Sequence, residues 1–215
     1  MNSRSSPKKR QVALLIWIGL ALVMIGPIVI AATSPYLAYR TAVHIAGGLA
    51  GIIGMALLLV QPLLAAGWLP GVGLPRLRTL HRWVGIAIVV AVLLHVGFLY
   101  LTSPLDTMDA LLFVAPAPFS VFGVTSMWVI VLTVLLSITR RILKLPYGTW
   151  RLIHSVLAAI VAATTAMHAF LIQGTMGPNS KLIVILVMLI TVTLAAIELN
   201  LLRPYRQRRA LTKAS

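Results

Sequence analysis

Six apolar runs, each near the ~20 residues a helix needs to cross a bilayer, divide this chain almost from end to end. They fall at about 12–32, 39–60, 79–102, 120–139, 150–173 and 180–201. In hydrocarbon every backbone N–H and C=O must be satisfied within the segment itself, so runs of this length are helices. The gaps hold the breakers Ser34-Pro35, Pro62, Pro70-Gly71, Pro75, Pro104, Pro116, Pro118, Pro146 and Gly177-Pro178. The expected fold is therefore all-α: a polytopic membrane protein built as a six-transmembrane-helix bundle. Only 10% of residues are charged, against about 25% in a soluble domain. Mean hydropathy is +1.02. The start, MNSRSSPKKR before an apolar run, is similar to a signal peptide. The run at 12–32 exceeds the 7–15 residues of a signal core, which favours a retained first helix over cleavage.

Basic residues sort by gap. Arg4, Lys8, Lys9 and Arg10 precede the first run, and Arg76, Arg78 and Arg82 surround the start of the third. Arg140, Arg141, Lys144 and Arg151 lie around the fourth gap, and Arg203, Arg206, Arg208, Arg209 and Lys213 close the chain. The alternate gaps hold only Arg40 and Lys181, with Asp106 and Asp109. The positive-inside rule then predicts both termini in the cytoplasm. A net charge of +15 is accounted for in this way, and nucleic acid is excluded as a partner; the lipid bilayer is the expected one. The organisation predicted is a cytoplasmic tail over 1–11, a transmembrane domain over 12–201 and a basic cytoplasmic tail over 202–215, with no soluble domain. The outer gap Ser103–Phe119 is apolar and proline-rich. A plain connecting loop is expected there, ahead of a surface-lying or partner-docking segment.

There is no cysteine, which excludes disulfides, iron–sulfur clusters and thiolate-held metals. Histidine remains as the metal ligand. The third run carries His81 and His95, fourteen residues apart, and the fifth carries His154 and His168 at the same spacing. Fourteen helical residues return to within about 40° of one face, roughly 21 Å further along. Both runs enter from the same side, so His81 and His154 share an inner level and His95 and His168 an outer one. A single membrane histidine serves equally as interhelical hydrogen-bond glue. Equal spacing on two co-directional helices instead suggests two haem groups, each held by two axial imidazoles, an arrangement suited to electron transfer because no coordination position stays open. His44, in the second run, also lies at the outer level. It is a substitute ligand, a propionate contact, a quinone-pocket residue or simply a polar residue near a helix end.

Arg78, Arg82 and Arg151 sit near the inner level, Arg40 and Lys181 near the outer; each is a candidate partner for haem propionates or an interfacial anchor whose long side chain snorkels to the headgroups. Glu198 is expected to pair with Arg203 rather than relay protons. Trp17, Trp68, Trp83, Trp128 and Trp150 fall mostly near run ends, as an aromatic belt does, and Trp83 and Trp150 are placed to pack against an inner haem. Gly47, Gly48 and Gly51 read as small-residue helix packing, and no dinucleotide fingerprint is present.

Tyr39-Arg40-Thr41-Ala42, Gln61-Pro62 closing the second run, Arg78-Thr79-Leu80-His81-Arg82-Trp83-Val84-Gly85, Leu94-His95 and Trp150-Arg151-Leu152-Ile153-His154 resemble the ferric-reductase-like transmembrane family. The similarity is greatest to its short bacterial branch, which includes the haem-binding membrane subunit of the periplasmic methionine sulfoxide reductase system. The resemblance implies b-type haem held by His81, His95, His154 and His168, as two groups or at the least one, with a quinone or flavin as a candidate further cofactor. It implies a multi-pass protein of the bacterial inner (plasma) membrane, passing electrons from a cytoplasmic reductase or quinol to a periplasmic protein or small-molecule acceptor. The flavin and nicotinamide domain of larger members is missing, so oxidation of NADPH would need a partner. The short branch often lacks a counterpart of His81, which favours a two-haem relative over the sulfoxide reductase subunit. A histidine-dependent metal or proton transporter is the competing class, disfavoured by third and fifth runs without internal proline; a cofactor-free structural protein is the third.

Overall fold

The computed structural model describes residues 7–213; residues 1–6, with Arg4 of the N-terminal basic cluster, and Ala214 and Ser215 lie outside the described residues. The described chain is helical with no strand. Six helices are long and apolar enough to cross a membrane. They are α1 (Pro7–Ala32), α2 (Ala42–Ala66), α3 (Leu74–Thr102), α5 (Pro118–Thr139), α6 (Tyr147–Leu171) and α7 (Pro178–Ile197). A short α4 (Pro104–Leu111) lies between α3 and α5, and a π turn (Glu198–Leu202) joins α7 to α8 (Arg203–Thr212).

Two local expectations are corrected, at the end of the second span and in the outer gap. The second span does not close at Gln61-Pro62 but runs to Ala66. Proline removes one N–H from the ladder, yet in an apolar setting an opened turn would free more backbone groups than it satisfies. Gly67 ends the helix instead, at φ 72°, and a Cβ there would lie 2.6 Å from Leu74 Cδ2. The outer gap is not a plain loop, because Pro104 pre-sets the first turn of α4. The C-terminal segment is helical, held where Arg203 and Arg206 both reach Glu198, at 3.4 and 3.2 Å. The expected Glu198–Arg203 pair is thus part of a three-residue cluster. Arg203 also donates to the Ala66 carbonyl, joining the last helix to the end of α2.

Helix α2 is the most enclosed span and α1 the most exposed. The bundle is two tight pairs, α2 with α3 and α5 with α6, bridged by α7, which packs on both α2 and α6; α1 covers α2 and α7. Leu59 of α2, Ala162 of α6 and Val184 and Met188 of α7 fill the joint between the pairs. On the other side of that joint, α3 and α6 approach through side chains rather than closely packed backbones. The large exposed apolar residues, such as Leu15, Leu93 and Ile138, form the lipid-facing surface.

Candidate functional site

Between α3 and α6 stand four imidazoles in two tiers. The His81 and His154 ring centroids are 6.3 Å apart, with planes at 65°. His95 and His168 are also 6.3 Å apart, with planes at 80°. Since the earlier histidine of each helix meets the earlier one of the other, α3 and α6 run in the same direction. A rise of about 1.5 Å per residue separates the tiers by roughly 21 Å. Midway, seven residues from each histidine, Ile88 of α3 and Val161 of α6 are buried with Ile130 of α5. An apolar layer therefore divides the tiers.

The His95–His168 tier, the one expected on the outer side, is built twice by one local device. His95 Nδ1–H donates to the Gly47 carbonyl at 2.8 Å, and His168 Nδ1–H to the Phe119 carbonyl at 2.8 Å. A helical side chain leans toward the N-terminus and covers the carbonyl one turn earlier. Four residues after Gly47 comes Gly51, and four after Phe119 comes Gly123, so both carbonyls are bare on the side the ring approaches. A Cβ at Gly51 would lie 2.8 Å from His95 Nδ1, and one at Gly123 2.6 Å from His168 Nδ1. Because a carbonyl only accepts, both rings carry their proton on Nδ1, leaving each Nε2 as an unprotonated donor atom for a metal.

The His81–His154 tier, the one expected on the inner side, is asymmetric. His81 Nδ1–H donates to the Gln61 carbonyl at 3.3 Å, while the Gln61 amide donates to the His81 carbonyl at 3.2 Å. His154 Nδ1 is buried with no hydrogen-bond partner among the described residues. Its ring is stacked on Trp150 instead, centroids 5.2 Å apart and planes at 25°.

Most of the other polar residues singled out by sequence are placed apart from the pairs. His44 is in the first turn of α2, where its N–H donates to the Thr41 hydroxyl; its ring joins neither pair. Arg78 and Arg82 are exposed on α3 and form no ion pair among the described residues. Arg151 has its guanidinium carbon 5.5 Å from the Tyr147 ring centre and a buried, unpartnered Nε. Lys181 donates to the Ile172 carbonyl at 2.7 Å, closing the end of α6 beyond His168. Trp83 is largely exposed and lines an apolar groove between α2 and α3 with Ile53 and Leu94; only Trp150 touches the inner tier. Gly123 and the two accepting carbonyls escaped sequence reading. The readable signal was a small residue facing each outer histidine on the preceding helix.

Among the described residues, no three His, Asp or Glu side chains converge. A bare zinc or similar ion takes three or four protein ligands. Two opposed imidazoles instead suit a metal whose remaining positions are filled by a macrocycle. The model of the family described as "Ferric reductase like transmembrane component" matches residues 50–165. The chain belongs to that family. No curated protein and no solved structure matches it. The matched span includes His81, His95 and His154 and stops three residues short of His168. Membership in the ferric reductase-like family assigns this multi-pass protein a membrane electron-transfer function, with redox partners to match.

Proposed function

We propose that each imidazole pair would hold one b-type haem between its two rings, His81 with His154 on the inner side and His95 with His168 on the outer. The chain then passes electrons across a bacterial inner membrane, from a cytoplasmic reductase or quinol to an acceptor outside. The observation that carries the reading is the ring separation. A metal–imidazole bond is about 2 Å and a ring nitrogen lies about 1 Å from its own centroid, so imidazoles on opposite sides of one metal atom have centroids about 6 Å apart. Both tiers have this spacing, at 6.3 Å. The donor set agrees: two neutral nitrogens per level and no third ligand.

Haem, when bound, supplies reversible one-electron chemistry. The chain's own residues do the rest. The Gly47, Phe119 and Gln61 carbonyls fix ring orientation and tautomer, as acceptors behind metal-bound histidines commonly do. Ile88, Ile130 and Val161 keep water and ions out of the interval between tiers. Paired imidazoles leave no open position for oxygen. The basic gaps support cytoplasmic termini, with 12–201 as the transmembrane unit between tails at 1–11 and 202–215. The close partnership of His81 with His154 favours two haems over the single-haem pattern of the sulfoxide reductase subunit.

The test is a dithionite-reduced minus oxidised spectrum of the purified protein with a pyridine haemochrome count. A b-type α band with two haems per chain is expected. Absence of the band would refute the reading, and one haem per chain would remove the inner site.

A further inference from the structure

Three of the four imidazoles donate Nδ1–H to a main-chain carbonyl; His154 is the exception. A ligating histidine is ordinarily oriented through its second nitrogen, and without that bond a ring is free to turn about its metal–nitrogen axis. Trp150 lies one turn earlier on α6, where i and i+4 side chains meet, and its indole is stacked on the His154 ring at 5.2 Å. Over the same indole sits the Arg140 guanidinium, its carbon 4.9 Å from the ring centre and 5.2 Å from that of Tyr147. A belt tryptophan turns its N–H to the headgroups, but Trp150 Nε1 is buried and unpartnered among the described residues.

We infer that Trp150 is a positioning residue for the inner haem: its stacked indole fixes the His154 ring plane in place of a hydrogen bond, and Arg140, held on that indole, sets a cationic field at the same site. The inference rests on the haem reading above. The field favours the ferrous state, which carries one positive charge fewer than the ferric, so Arg140 raises the inner midpoint potential without exchanging a bond or a proton.

The experiment is low-temperature EPR of the oxidised full-length protein with a redox titration of both haems, for wild type, Trp150→Leu, Trp150→Phe and Arg140→Gln. Trp150→Leu is expected to shift or broaden the inner low-spin signal and leave the outer one unmoved. Trp150→Phe, which keeps a stacking ring, should restore the wild-type signal, and Arg140→Gln should lower the inner midpoint alone. Loss of the inner haem in the leucine variant but not the phenylalanine one supports the same conclusion. Loss in both shows packing alone and overturns it. Unchanged g values in Trp150→Leu and an unchanged midpoint in Arg140→Gln, with two haems retained, also overturn it. A wild type without haem would remove the parent reading itself, and this inference with it.

Discussion

Replacing Gly51 or Gly123 by alanine adds one methyl group to a helix and, by the geometry of the outer tier, should loosen one haem selectively. The new Cβ would sit 2.8 Å from His95 Nδ1 or 2.6 Å from His168 Nδ1. Ordinary contact begins near 3.4 Å, so the ring must retreat by about 0.6 or 0.8 Å. A 2.8 Å hydrogen bond stretched by that much, to about 3.4 or 3.6 Å, is severely weakened or lost. Losing it costs about 1 kcal/mol, and the overpacking about 1–3 kcal/mol. A sum of about 2–4 kcal/mol corresponds to roughly 30- to 1,000-fold weaker haem retention. Haemin titration of haem-depleted protein, read in the outer EPR signal, measures it. Gly48→Ala is the control, since nothing lies within 4 Å of a Cβ there. If Gly51→Ala and Gly123→Ala both keep wild-type affinity and an unshifted outer signal, the seating of the rings against glycine is refuted.

Two further outcomes follow from the ends of the bundle. Glu198→Ala removes the shared partner of Arg203 and Arg206 and should lower the melting temperature in detergent, the partly exposed pairs contributing up to about 1 kcal/mol each, with haem content and reduction rate unchanged; a slowed reduction instead would assign Glu198 to proton relay. The chain has no cysteine, so single cysteines report topology: Tyr39→Cys should label with an impermeant maleimide in intact spheroplasts and Arg208→Cys only after lysis, and the reverse pattern would invert the orientation.

Much of this fold is legible in the sequence because a bilayer leaves the backbone few choices. Six apolar runs had to become six helices, and their placement needed only length and hydropathy. Fourteen-residue histidine spacing on two co-directional spans also pointed to the pairing, since helical rise and turn bring both histidines of each span to one face. What sequence could not supply was the outcome of competing local terms. Pro62 reads as a helix end, but the apolar surroundings keep α2 intact to Ala66. Ser103–Phe119 reads as a loop by composition, but its prolines start helices at Pro104 and Pro118. The asymmetry between tiers was invisible, because it depends on which main-chain carbonyl each ring meets. Gly51 read as helix packing, which is true, yet its neighbour proves to be a histidine ring rather than an apolar side chain.

The most direct measurement is EPR of the oxidised protein with each of the four histidines changed to alanine in turn. Ring planes at 65° and 80° predict two strongly anisotropic low-spin signals in the wild type. One should vanish in both His95→Ala and His168→Ala, the other in both His81→Ala and His154→Ala. Signals that survive these substitutions, or that sort by helix rather than by tier, would contradict the account.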